Sequence, residues 1–197
     1  MRRAAPLAIV MALATGIAPA RADPRCARLG QPAYSAMRLT SAGGAPATAA
    51  RVTLDGPRQR IEARGPGEGR LVTLITPEFH AVFLTSAQPA VALRLAPPPA
   101  TAAPAPQDRR EREERSRGQV TFIIELRGVS GQWHAVERNT CRRDGVLLEA
   151  WQWQPSPAGG LVLETRQSDI RLARPDPALF QLPAGFRLAE APPAARP

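Results

Sequence analysis

In Val120-Thr121-Phe122-Ile123-Ile124-Glu125-Leu126, the residues Val120, Phe122, Ile124 and Leu126 fall at every second position. That spacing puts side chains on one face of a β-strand and predicts a core strand here. Similar short runs recur on both sides of it. Tyr34 to Thr40, Arg51 to Leu54, Arg60 to Ala63, Leu71 to Thr76, Phe79 to Leu84 and Val91 to Leu95 read as strands of a first meander; Val91 to Leu95 reads equally as the start of a helix. Gln132 to Arg142, Val146 to Trp153 and Leu161 to Leu172 read as a second. Asp55-Gly56-Pro57 and Asp144-Gly145 supply hairpin turns. Leu71 and Ile75 oppose Val72 and Leu74, and Phe79 and Phe83 oppose Val82 and Leu84, so both faces of that region carry apolar side chains. Something has to cover the second face, whether a packed sandwich, a helix laid across a curved sheet, or a hydrophobic ligand cavity.

The rhythm breaks between the two meanders. Ala96 to Gln107 is almost wholly Pro, Ala and Thr, a composition that favours an extended connection. Arg109 to Arg117 follows as a block of mixed charge. Its Arg109/Glu113, Arg110/Glu114 and Glu111/Arg115 pairs stand four apart, as they do along a short exposed helix. Residues 96–118 therefore read as a Pro-rich and charged insertion. The balance of opposite charges favours a solvated excursion over contact with an acidic partner.

Composition fits a β architecture: 22 Pro and 15 Gly in 197 residues argue against long helical bundles. All 26 basic residues are arginine, which in an Ala-, Pro- and Gly-rich chain points to codon bias rather than to selection for phosphate binding. The formal charge of +9 falls by three without Arg2, Arg3 and Arg21. Those residues lie in a segment with the features of a secretory signal. Arg2 and Arg3 form a positive start, Ala4 to Ala20 carry no charge, and Ala20-Arg21-Ala22 is a small-x-small cleavage site. Cleavage after Ala22 would start the mature chain at Asp23, and the expected location is the periplasm.

An oxidising compartment favours joining Cys26 and Cys141, the only two cysteines; the alternative is two unrelated thiols. Neither belongs to a CxxC pair, so redox or zinc chemistry has little support. His80 and His134 fall in separate predicted strands without acidic or cysteine clusters at metal-ligand spacing. No GxSxG elbow or phosphate loop is present in the sequence, and Glu149, Glu164 and Asp169 show no paired-carboxylate geometry, so no enzyme, metal or cofactor is expected. No aromatic-basic pattern suggests nucleic acid. Arg142, Arg143, Arg171 and Arg174 offer at most a peripheral contact with anionic lipid headgroups.

The closing segment Asp176-Pro177-Ala178-Leu179-Phe180-Gln181-Leu182-Pro183-Ala184-Gly185-Phe186 resembles the final signature of LolA/LolB-like periplasmic proteins. A cysteine-bearing strand, the Asp144-Gly145 turn, a Trp-bearing strand and a long strand ending before Pro175 precede it in the same order, so the resemblance covers about residues 119 to 186. Phe180 and Leu182 would share one face of a last extended segment.

The resemblance implies a mainly β fold: a curved antiparallel sheet, an unclosed β-barrel, with short helical or irregular covering segments and a hydrophobic cavity between. On that reading residues 23–188 form one domain and 189–197 a disordered tail. The implied function is a periplasmic binding or carrier-like protein that shelters a hydrophobic ligand such as a lipid or lipoprotein acyl chain, and the protein is expected to be a monomer. The alternative is a non-catalytic envelope scaffold with a filled core. Trp133, Trp151 and Trp153, with Phe122 and Ile124, are the candidates to line an apolar ligand site, against the commoner reading that such residues pack a core.

Overall fold

The computed structural model describes residues 24–95, 108–155 and 160–190. They build twelve strands: β1 (Tyr34–Ala42), β2 (Thr48–Asp55), β3 (Arg58–Arg64), β4 (Arg70–Ile75), β5 (His80–Leu84), β6 (Val91–Arg94), β7 (Arg109–Ser116), β8 (Gln119–Arg127), β9 (Trp133–Arg142), β10 (Leu147–Gln154), β11 (Leu161–Leu172) and β12 (Arg187–Glu190). All lie in one sheet of order β12-β6-β5-β4-β3-β2-β1-β11-β10-β9-β8-β7. Neighbours are antiparallel except β12 and β6. The sheet does not close, so it is the curved, unclosed barrel expected from the sequence.

Hairpins link most neighbours because glycine sits where the turn needs a positive φ: Gly56 at +58° between β2 and β3, and Gly145 at +93° between β9 and β10. The two meanders join through β1 and β11, which pair from Tyr34/Leu172 to Ala42/Leu163 with a bulge near Asp169. No local turn specifies that seam.

Paired residues share a face, so the register sorts the side chains. On one face, here called inner, Tyr34, Ala36, Val52, Leu54 and Ile61 pack with Val146. On the same face Val120, Phe122, Cys141 and Leu147 pack with Cys26 of a 3-10 turn at Cys26–Arg28, which lies across this part of the sheet. On the outer face Val72, Leu74, Ala81, Phe83 and Ala92 form a third cluster, covered by Leu182, Phe186 and Leu188 from the C-terminal stretch. Phe83 and Phe186 meet with ring centroids 4.9 Å apart. Both faces of β4 and β5 are thus buried, which explains why their apolar residues do not alternate with polar ones.

Three expectations need correction. The charged block is neither helix nor excursion: it is β7, an exposed edge strand paired along its length with β8. Its charges pair at strand spacing, Arg112 with Glu114 and Glu113 with Arg115, because residues two apart share a face. The closing signature is not extended either. Pro177–Phe180 is a second 3-10 turn, its start capped by Asp176, which accepts the Ala178 N–H at 2.9 Å. Phe180 is buried there beneath the Arg58 guanidinium, 4.9 Å from the ring centre. Finally, Ala189 and Glu190 belong to β12 rather than to a tail. The proposed signal and cleavage site, the run from Ala96 to Gln107 and residues 191–197 lie outside the described residues.

Candidate functional site

The inner face is most heavily furnished where the first 3-10 turn crosses β7, β8 and β9. Cys26 and Cys141 form a disulfide with Cα atoms 5.5 Å apart, joining positions separated by 115 residues. Beside it Arg25 donates two hydrogen bonds to Glu137, at 2.7 and 3.0 Å, and a longer one to Glu111 at 3.3 Å. Arg28 also pairs with Glu111 and stacks its guanidinium 5.0 Å from the centre of the Phe122 ring. Burial alone would raise the Glu111 carboxyl, but the bonds and charges of Arg28 and Arg25 outweigh it and hold the group below its ordinary value. The turn is therefore fastened by covalent, ionic and ring contacts at once.

Between this segment and β1 lies a cavity of about 30 Å³, lined among others by Ala27, Pro32, Tyr34, Arg38, Leu54 and Leu147. That is room for at least one water molecule. Tyr34 and Arg38 both point inward from β1, four residues apart on one face. Arg38 is only 5% exposed, and its Nε finds no hydrogen-bond partner among the described residues. Burial lowers its pKa, opposed only by the nearby Tyr34. Burial likewise raises Tyr34, while the Arg38 charge pulls it partly back. Gln59 on β3, 3% exposed, adds a side-chain amide with neither polar atom satisfied among the described residues.

The register divides the sequence-derived candidates between the two faces. Phe122 and Ile124 lie on the inner face and are buried, Phe122 in the cluster around the disulfide. Trp151 and Trp153 share the outer face, opposite Glu164 and Val162 of β11. A bulge between Ile124 and Glu125 brings Trp133 opposite Arg127 and onto that outer face too. Arg110 stacks 4.5 Å from the Trp133 ring centre, and Trp153, 37% exposed, lies close against Gly160. The three tryptophans and the two inner residues thus do not line one site. Larger hollows of about 510 and 480 Å³ are open grooves with charged walls: Arg51, Glu62, Arg64 and Arg70 along one, Glu149 and Arg166 along the other.

His80 and His134 stand on β5 and β9, and no group of three His, Cys, Asp or Glu able to hold a metal occurs among the described residues. Arg142, Arg143, Arg171 and Arg174 lie toward the end of the sheet where the Asp144 turn sits; Arg142 is engaged by Asp144 at 2.6 and 2.9 Å. The residues that sequence reasoning did not single out are Tyr34 and Arg38. Their signal was an arginine at an inward-facing position of an otherwise apolar strand face.

Comparison with protein-family models and with curated proteins finds no match. Among solved structures, a LolA superfamily protein from Nitrosomonas europaea is similar to this chain with a TM-score of 0.39 and 14% identity, over 78% of this chain and 90% of that one.

Proposed function

We propose that this chain is an exported, non-catalytic binding protein that shelters an apolar moiety, such as a lipid or lipoprotein acyl chain, on the inner face of its open sheet. The carrying observation is the apolar band of that face. Ala36, Val52 and Ile61 stand in register across β1, β2 and β3, and Leu71, Ile75 and Val82 extend the band onto β4 and β5. These side chains are buried, so they would serve a guest as the apolar lining of the hollow rather than as an exposed surface. The closing signature shared with LolA/LolB-like proteins and the disulfide, suited to an oxidising compartment, support the same reading. On this proposal the signal is cleaved after Ala22, residues 23–190 act as one periplasmic domain, and the protein is a monomer touching membranes only peripherally.

A second reading has its own observation. The cavity between the first 3-10 turn and β1 offers only about 30 Å³, which favours a scaffold whose own side chains fill the interior. Native mass spectrometry on protein purified from the bacterial envelope without detergent separates the two. Reproducible adducts of lipid mass are expected for the binding protein. The bare polypeptide mass throughout would overturn it in favour of the scaffold.

A further inference from the structure

We propose that Arg38 and Tyr34 form a carboxylate-binding site at the floor of the small inner-face cavity, so that the sheltered apolar moiety carries an acidic head. A guanidinium removed from water needs a partner anion, because desolvation penalises an isolated charge heavily. Arg38 is 5% exposed, yet no described carboxylate pairs with it. Asp144, whose charge is felt at Tyr34, is engaged by Arg142 and by the Val146 N–H at 3.4 Å. The unsatisfied Nε shows the same deficit at the level of a single donor.

The neighbouring groups suit an oxygen anion. Tyr34 lines the same cavity and carries a hydroxyl able to donate to an anion. A guanidinium fork and a phenol hydroxyl together match a planar carboxylate. The cavity has room for at least one water molecule, whose place a carboxylate oxygen would take. Ala27, Pro32, Leu54 and Leu147 form the apolar part of the wall, the surroundings expected for the first carbons of a chain. A free short carboxylate and the head of a fatty acid present the same chemistry here.

The inference deepens the proposed function, and titration calorimetry at neutral pH on the oxidised protein keeps the two apart. The probes are sodium decanoate, 1-decanol and sodium acetate. Decanoate is expected to bind with unit stoichiometry and about tenfold or more tighter than decanol, and acetate to compete with it. Arg38→Met should erase the preference for decanoate over decanol while leaving decanol binding in place. Tyr34→Phe, which keeps the cation and most of the packing, should narrow the preference and tests the site even if Arg38→Met fails to fold. Equal affinities for decanoate and decanol, or a preference that survives both substitutions, would overturn the carboxylate site and leave the apolar-ligand reading standing. Decanoate binding no tighter than acetate, with both dependent on Arg38, would uphold the site and remove the apolar reading. Absence of binding by both carboxylates overturns the site outright.

Discussion

A methyl group placed on Gly30 would sit 2.3 Å from the carbonyl oxygen of Asp144. The reverse contact is as close: a methyl on Gly145 would lie 1.9 Å from the Gly30 carbonyl oxygen, at a φ of +93° that side chains rarely adopt. The segment following the first 3-10 turn and the β9–β10 turn thus meet backbone to backbone. Gly30→Ala is expected to cost about 1–3 kcal/mol by overpacking, and Gly145→Ala at least as much because conformational strain is added. Urea unfolding of the two variants against the parent checks this. A loss within experimental error for both would mean that the segment can lift off the turn freely.

The disulfide closes a loop spanning 115 residues. In the chain-entropy account such a crosslink stabilises by about 4–5 kcal/mol. Reduction, or Cys141→Ala with Cys26→Ala, should lower the urea midpoint accordingly. The exchange of amide hydrogens in Cys26–Leu29 should rise more than in β4 and β5, because the turn then retains only its arginine contacts.

Acid should weaken the fold through three carboxylates. Arg110 holds Glu125 low, Arg142 holds Asp144 low, and Arg28 with Arg25 overcomes burial to hold Glu111 low. A carboxylate lowered on folding contributes stability at pH values above its unfolded value and loses it as the pH falls through the folded one. The ordinary values here are 4.5 for glutamate and 3.8 for aspartate, so the loss begins near the upper of these and continues downward. Thermal midpoints measured from neutral pH downward should fall below that range, and less steeply in Asp144→Asn.

The edge strand β7 carries its charges for protection as well as for pairing. Glu113 and Arg115 bond to each other and are exposed, opposite Phe122 and Val120. Replacing both by valine should change the unfolding free energy by no more than about 1 kcal/mol, yet promote association through the unpaired edge. Size-exclusion chromatography over a concentration series reads this directly. A variant that stays monomeric at every concentration would show that the edge is guarded by something other than charge.

On the outer face Phe83 and Phe186 link β5 to the C-terminal stretch. Phe83→Ala is expected to cost about 3–5 kcal/mol and to free the stretch bearing Phe186, seen as new protease cuts near Gly185.

Most strands were legible because their apolar residues follow a period of two between glycine-bearing turns, as β8 and the β2–β3 hairpin illustrate. β7 was not, since Arg and Glu at Arg109 to Arg115 satisfy helical spacing of four as readily as strand spacing of two, and only the partner strand decides. β12 was hidden for another reason. Arg187–Glu190 has too few residues to show a pattern, and its strand state comes from pairing with distant β6. The tryptophans kept the common parity predicted for Trp151 and Trp153, but Trp133 reached the outer face through a bulge that no residue type announces. Arg38 was missed because an arginine in a strand ordinarily points to water. Its burial depends on β1 lying between β2 and β11, a non-local fact.

The seam between β1 and β11 sets a timetable for the newborn polypeptide. β1 leaves the ribosome early, yet its second neighbour emerges more than a hundred residues later, and the Phe186 plug over β5 later still. A partly made chain therefore exposes a raw strand border and an uncovered greasy surface together, a combination that invites clumping.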